Sequence, residues 1–145
     1  MIHQGIRSLQ RVAELFQQRR AELAWAVGLT EHQWGVLEEI STEHFMPSMF
    51  ARQRESSAAA VSKTLRQLSD KGLVETAVPS DDGRRRSYQL TDAGKRVMRE
   101  LRKQRERAID HVWSRLPERA LQDFISVADE LARRMDELLQ KEKKG

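Results

Sequence analysis

The chain has 145 residues and a net charge of +4, with 39% hydrophobic residues, 33% charged residues and no cysteine. A chain of this length forms one compact domain, with or without helical extensions. The lack of cysteine excludes disulfides, thiolate catalysis and thiol redox sensing. Apolar runs are too short for a transmembrane helix and residues 1–20 lack the apolar core of a signal peptide, so we expect a soluble cytoplasmic protein without membrane contact.

Three helices are predicted in the first part of the chain. Apolar residues at spacings of three and four predict a helix over about 3–27, and Gly28 is placed to end it. Thr30 caps a second helix, with Gln33 three residues later as the partner in a capping box. A short third helix is predicted over about 47–54.

A fourth helix is predicted over about 58–71, with Ser56 or Ser57 as its N-cap and Gly72 as its end. Its apolar face consists of Val61, Leu65 and Leu68. The opposite face is small and polar near its N-terminus, which suits a helix that enters a major groove and reaches base edges or phosphates. The candidate DNA contacts on this helix are Ser57, Ala58, Ala59, Ser62, Lys63 and Arg66.

Two short strands, within residues 73–78 and 88–90, flank an arginine-rich tip. A guanidinium group inserted into a narrow minor groove meets an enhanced negative potential, and a neighbouring carboxylate can orient it. An amphipathic helix with a solvated turn is the simpler alternative, but helix and tip in this order favour DNA binding. The candidate contacts at the tip are Asp82, Arg84, Arg85 and Arg86.

Two long helices complete the chain. Thr91 caps a fifth helix that runs to about Ser114, Pro117 lies just inside the start of a sixth, and residues 141–145 form a frayed basic tail. The first, fifth and sixth helices carry more apolar surface than one small core covers, which predicts a subunit interface; a monomer with folded-back helices is the alternative. The interface candidates are Ile2, Ile6, Leu9, Leu121, Phe124, Ile125, Leu131, Leu138 and Leu139.

The positive charge is concentrated beyond residue 51. Residues 52–86 carry 8 Lys and Arg against 5 Asp and Glu, and residues 95–119 carry 9 against 4, whereas residues 1–51 carry 4 against 6. Segments with an excess of basic residues attract polyanions. We therefore expect the middle of the chain and the helix that follows it to face an anionic partner.

Three segments resemble the multiple antibiotic resistance regulator (MarR) family of winged-helix transcription factors: Leu68-x-x-Lys-Gly-Leu-Val, Asp82-Gly83-Arg84 and Leu90-Thr91-Asp92-Ala93-Gly94. The resemblance implies one mainly α-helical domain, 1–145, with a small β wing. It further implies a winged helix-turn-helix lobe at 30–94, flanked by dimerisation helices at 1–27 and 95–140. The family's wing arginine enters the minor groove braced by its aspartate, which implies those roles for Arg84 and Asp82.

The resemblance also implies a homodimeric repressor of a pseudo-palindromic operator, released from double-stranded DNA by a small aromatic effector. The chain departs from the family at Arg54 and Glu55, where an apolar residue and a glycine are usual, and at Gly83, where a charged or bulky residue is frequent. Aromatic and histidine residues are candidates to line the effector pocket. They are Trp25, Trp34, His44, Phe45, His111 and Trp113.

Metal-dependent and enzymatic functions find no support in the sequence. His3, His32, His44 and His111 lack the paired spacing of a zinc site, and we expect neither metal nor cofactor. Nor does a nucleophile–base arrangement or a glycine-rich phosphate loop occur, so an enzyme acting on nucleic acid is disfavoured. The principal alternative is a winged-helix module that binds a protein partner and has lost DNA binding.

Overall fold

The computed structural model describes residues 1–42, 45, 47, 50–51, 56–77 and 87–145. The short helix predicted over 47–54 lies largely outside this part of the chain, although Pro47, Phe50 and Ala51 are helical. The elements with defined bounds are α1 (Ile2–Ala26), α2 (Glu31–Ser41), α3 (Ala58–Asp70), β1 (Val74–Ala77), β2 (Ser87–Leu90), α4 (Asp92–His111), a 3₁₀ turn (Trp113–Arg115) and α5 (Glu118–Lys144).

The predicted fold class is confirmed, because the described chain is mainly helical with one small antiparallel sheet, β1–β2. It separates into two compact units, Met1–Gln104 and Arg105–Gly145. The buried apolar side chains among the described residues all belong to the first unit, and no residue of 105–145 is buried. None of the helices in the described ranges is long and apolar enough to cross a bilayer.

The end of α1 confirms the role predicted for Gly28, which has a φ of +75°. Its N–H donates to the carbonyl of Trp25 at 3.0 Å, and the N–H of Leu29 donates to the carbonyl of Ala24 at 2.8 Å. This pair of bonds defines a Schellman motif, in which the residue with positive φ is usually glycine. The motif turns the chain so that Leu29 enters the core.

Arg20 joins α1 to α2. Its guanidinium carbon lies 3.9 Å from the centre of the Trp34 ring, and its Nη2 lies 3.5 Å from a carboxylate oxygen of Glu38. The ion pair is exposed and adds little, but Trp34 is buried, so the cation–π contact is partly shielded from water and stronger than one at the surface. At the start of α2, the capping box of Thr30 and Gln33 is present as predicted.

Ser57 is the N-cap of α3. Its backbone is extended, and its Oγ accepts a hydrogen bond from the N–H of Ala60 at 3.0 Å. An N-cap side chain satisfies one of the N–H groups that have no partner within the helix. The cap is therefore Ser57 and not Ser56; the sequence alone permits either.

Ser57→Ala is expected to lower the free energy of unfolding by about 1 kcal/mol, because the N–H of Ala60 loses its acceptor. Ser56→Ala is the matched control, since it removes the same hydroxyl one residue earlier, and it should stay within about 0.5 kcal/mol of the parent. Urea unfolding followed by circular dichroism measures both changes. Equal losses in the two variants would contradict the assigned cap.

The end of α4 differs from the prediction, because the α-helix ends at His111 and residues Trp113–Arg115 form a 3₁₀ turn. The hydroxyl of Ser114 donates to the carbonyl of Ile109 at 2.7 Å, an acceptor that a longer α-helix would pair with a backbone N–H. Leu116 is extended, as is usual for a residue that precedes proline.

Both ends of α5 also correct the sequence-based prediction. Pro117 is the N-cap, with a ψ of 140°, and the first helical residue is Glu118. The predicted frayed tail is helical through Lys144. Lys141, Lys143 and Lys144 occupy the last turn, where positive side chains interact favourably with the negative end of the helix dipole.

Candidate nucleic-acid interface

The two faces of α3 differ in burial and in chemistry. Val61, Leu65 and Leu68 are buried, which confirms the predicted inner face. On the outer face, small side chains permit a close approach to base edges, and basic side chains supply donors for bases or phosphates. The structure leaves that whole face exposed: Ala58, Ala59, Ser62, Lys63 and Arg66.

Two polar contacts attach α3 to α2. Nδ1 of His32 lies 2.8 Å from Oγ1 of Thr64, and Nε2 of Gln33 donates to Oε1 of Gln67 at 3.0 Å. Gln33 and Thr64 are only 6% and 5% exposed, and a buried polar group that loses its partner costs about 1–3 kcal/mol. These contacts fix the angle between the helices and therefore the direction in which the outer face of α3 points.

Sequence reasoning missed this polar set. Thr64 follows Val61 by three positions, so the helical repeat places it on the inner face, where a polar residue signals a buried partner. Gln33 is predicted only as a capping residue, yet its Oε1 accepts from the N–H of Thr30 at 3.1 Å while its Nε2 reaches Gln67. No pattern in one sequence pairs two glutamines on different helices.

The base of the wing is a short antiparallel ladder. Val74 of β1 lies opposite Leu90 of β2, and Ala77 lies opposite Ser87 at the other end. Val74 is buried in the core, so the sheet is anchored at the end nearest α3. The ladder therefore holds the two chain ends that residues 78–86 connect, at the place where the sequence predicts a wing.

The turn at Gly72 joins the end of α3 to the base of the wing. Gly72 has a φ of +72°, and the N–H of Leu73 donates to the carbonyl of Leu68 at 3.0 Å, which is a second Schellman motif. Thr91 bonds to the same turn. Its Oγ1 donates to the carbonyl of Gly72 at 2.6 Å, and its N–H donates to the carbonyl of Leu73 at 3.1 Å.

Gly94 completes this junction. Its N–H donates to Oγ1 of Thr91 at 3.1 Å, which confirms Thr91 as the cap of α4. A Cβ added at Gly94 would lie 2.2 Å from the carbonyl oxygen of Leu73, so the first turn of α4 packs directly on the backbone that leads into β1. The Lys-Gly-Leu-Val and Leu-Thr-Asp-Ala-Gly segments thus form one structural unit.

Several predicted positions lie outside the described residues, and their roles stay predictions. They are the wing-tip residues Asp82, Arg84, Arg85 and Arg86, the turn residues Arg54 and Glu55, Val78 of the first predicted strand, and His44 of the predicted effector pocket.

Three of the predicted effector-pocket residues lie in the first unit, in different environments. Trp34 is buried, and its indole N–H has no acceptor among the described residues. Phe45 packs beside Phe50 and Tyr88, with ring centres 5.9 and 6.1 Å away. Trp25 is 85% exposed, so it contributes little to the core.

The other two described candidates belong to the second unit. Nδ1 of His111 lies 2.8 Å from the carbonyl oxygen of Arg107, and the rings of Trp113 and Phe124 are centred 6.2 Å apart. Within the described ranges, no group of three or more His, Asp or Glu residues is placed to hold a metal ion.

Comparison with known sequences gives matches over part of the chain. Residues 27–86 match the sequence model of the MarR family. The transcriptional regulator AdcR of Streptococcus pneumoniae serotype 2 (strain D39) is 38% identical over 74 residues, which are 51% of this chain and 51% of AdcR. The chain therefore matches about half the length of this curated relative.

Solved structures share the fold over more of the chain. A MarR family transcription regulator has a TM-score of 0.82 at 16% identity, over 96% of this chain and 93% of its own. MepR of S. aureus, in a DNA complex, has a TM-score of 0.69 at 16% identity, over 88% of this chain and 93% of its own. Residues 27–86 thus carry the sequence pattern of the MarR family, and the chain shares the fold of a MarR family regulator over nearly its whole length.

Proposed function

We propose that this protein is a DNA-binding transcriptional regulator that acts in the cytoplasm as a homodimeric repressor. The observation that carries the proposal is the exposed, small and polar outer face of α3, opposite a fully buried inner face. A helix with these two faces can pack on its own lobe and enter a major groove. AdcR is a transcriptional regulator and MepR is crystallised with DNA, which supports the same class here.

In the proposed complex, the N-terminal half of α3 reads the major groove. Ala58 and Ala59 pack against thymine methyl groups, while Ser62 and Lys63 reach base edges or phosphates. Arg66 lies further along the helix and holds the phosphate backbone, which positions the helix without reading sequence. Ser57 caps the helix and, because it is exposed, serves as a further contact at the start of α3.

The wing supplies a second contact, in which Arg84 enters the minor groove and Asp82 orients it, while Arg85 and Arg86 contact the backbone. Arg84→Ala is expected to weaken DNA binding by about 1–3 kcal/mol across sequences. Lys141→Ala is the control, since it removes one positive charge from the last turn of α5. Fluorescence anisotropy at physiological salt measures both, and an Arg84 variant with the parent's affinity would refute the wing contact.

The homodimer is supported by apolar side chains that one chain leaves exposed. Ile6 of α1 is 48% exposed, and Phe124 and Leu138 of α5 are 49% exposed. Runs of exposed apolar residues mark association surfaces, and the unit that contains α5 has no buried residue of its own. A two-fold dimer presents two α3 helices and reads half-sites about 10 bp apart, which a pseudo-palindrome supplies.

The proposed effector is a small aromatic molecule that releases the DNA, with Trp34 as one of its contacts. Its support is the buried indole N–H of Trp34, which has no acceptor in the described part of the chain; an oxygen atom on an aromatic ligand would supply one. A ligand that binds more tightly to the conformation with a different lobe spacing shifts the protein towards it and lowers DNA affinity.

The test of the proposed function is an anisotropy titration against the DNA upstream of the protein's own gene, beside a scrambled duplex, at two salt concentrations. Preferential binding of the upstream DNA that weakens steeply as salt rises would support it, because neutralised phosphates release counterions. Two chains bound per duplex would support the dimer. The proposal fails if the protein binds neither duplex, and a protein-interaction module would then be the better interpretation.

A further inference from the structure

The solvent face of α4 carries a row of basic residues, Lys95, Arg96, Arg99, Arg102 and Lys103, which we call the α4 basic stripe. All five side chains are exposed, and all belong to the compact unit that contains α3. With a rise of about 1.5 Å per residue, Lys95, Arg99 and Lys103 succeed one another on one side at intervals of about 6 Å. The stripe is therefore a linear array of positive charge.

Within the described residues, no acidic side chain forms an ion pair with this array. Asp92, Glu100 and Glu106 lie three or four positions from members of the stripe, and Glu100 accepts a hydrogen bond from Nε2 of Gln104 at 3.0 Å. The ion pairs among the described residues involve none of the five basic residues. Like charges four residues apart also destabilise a helix, so an external anion at this face would remove an unfavourable interaction.

The arginines of α5, in contrast to the α4 basic stripe, form ion pairs. Arg133 forms an ion pair with Glu130 at 2.8 Å, and Arg119 lies 3.6 Å from Asp123. Hydrogen bonds from Arg133, and then from Arg134, hold the pKa of Glu130 down to about 2. The arginines of α5 thus form ion pairs with acidic partners on their own helix, at the spacings that favour such pairs, whereas no residue of the α4 basic stripe forms an ion pair with a described residue.

We propose that the α4 basic stripe is a second DNA-binding surface, which holds phosphates of the duplex beyond those contacted by α3 and the wing. This inference rests on the proposed function. α4 begins directly after β2, and Thr91 ties its start to the turn that ends α3. A DNA duplex bound by α3 and the wing would therefore be the polyanion nearest to the α4 basic stripe.

The stripe binds phosphate and does not read bases. Its residues lie along an exposed helix face rather than at a helix end aimed into a groove, and contacts of this kind position the protein without sequence information. They supply affinity that depends on salt and is equal for all sequences. The stripe consequently adds to total affinity but not to the preference for one operator.

The test is the double variant Arg99→Gln/Lys103→Gln, with Lys141→Gln/Lys144→Gln as the control that removes the same charge from the end of α5. Each is titrated by anisotropy against a long upstream duplex and a scrambled duplex over a series of salt concentrations. Loss of two phosphate contacts is expected to reduce the slope of log affinity against log salt by about 2 per protomer. Affinity at physiological salt should fall about tenfold or more on both duplexes, with their ratio unchanged.

The outcomes separate the two proposals. If the stripe variant has the slope and affinity of the control variant while the parent binds DNA, the stripe is not a DNA surface and the proposed function stands. The inference is also overturned if only the preference for the upstream duplex falls, since that change indicates base reading. If the parent binds neither duplex, the proposed function fails and the inference fails with it. Circular dichroism verifies that both variants are folded.

Discussion

Gly94→Ala is expected to lower the free energy of unfolding by about 3 kcal/mol, at the upper end of the cost of overpacking. The added Cβ would lie 2.2 Å from the carbonyl oxygen of Leu73 and 3.1 Å from its carbonyl carbon. Because the obstacle is backbone, no side-chain rotation relieves the clash. Relief requires α4 to move away from the start of β1, which would break the hydrogen bonds that Thr91 makes to Gly72 and Leu73.

Gly5→Ala is the matched control for this change. Gly5 lies in α1, and a Cβ there meets no other atom within 4 Å. Alanine favours a helix over glycine by about 1 kcal/mol, so this variant should be as stable as the parent or more stable. Thermal and urea unfolding followed by circular dichroism compare the two. If Gly94→Ala proves as stable as Gly5→Ala, the close packing of α4 on Leu73 is wrong.

The ends and caps of the helices are features that could be predicted from the sequence. The ends of the helices at Gly28 and Gly72 and the caps at Thr30 and Thr91 depend on hydrogen bonds between residues at most five positions apart. Interactions of that range are encoded in local sequence, because side-chain type and backbone conformation decide them with little help from the rest of the fold. These elements could therefore be predicted without a structure.

Long-range packing accounts for what the sequence does not reveal. The sequence shows Gly94 as part of the Leu90–Gly94 segment. Its contact with the backbone of Leu73 depends on the β1–β2 pairing, which brings residues 21 positions apart together. Periodicity likewise marks Leu101 and Phe124 as apolar helix positions of the same kind. Leu101 is buried in the core and Phe124 is half-exposed, because burial depends on which partners the fold brings to each face.

The candidate site likewise has features that the local sequence determines and features that depend on contacts between helices. The outer face of α3 follows from the helical repeat, so its exposed residues could be identified from the sequence. The attachment of α3 to α2 through Thr64 and Gln67 could not, since each residue pairs with a side chain on another helix. The direction in which α3 presents its outer face is therefore a property of the fold and not of the motif.

The two faces of α3 predict opposite outcomes for two substitutions in one helix. Leu68→Ala should lower the free energy of unfolding by about 2–5 kcal/mol, because Leu68 is fully buried and its truncation leaves a cavity. Lys63→Gln should stay within about 0.5 kcal/mol of the parent, because the side chain is exposed. Urea unfolding measures both, and anisotropy titrations corrected for the folded fraction measure their DNA affinity.

In DNA affinity the two variants should rank in the opposite order to their stability. Lys63→Gln is expected to weaken binding and to reduce the slope of log affinity against log salt by about 1, whereas the folded fraction of Leu68→Ala should bind as the parent does. This opposite ranking requires that the inner face of α3 contributes to stability and the outer face contributes to DNA affinity. If the Lys63 variant binds normally, the outer face does not carry the interaction, and the winged helix must meet its partner elsewhere.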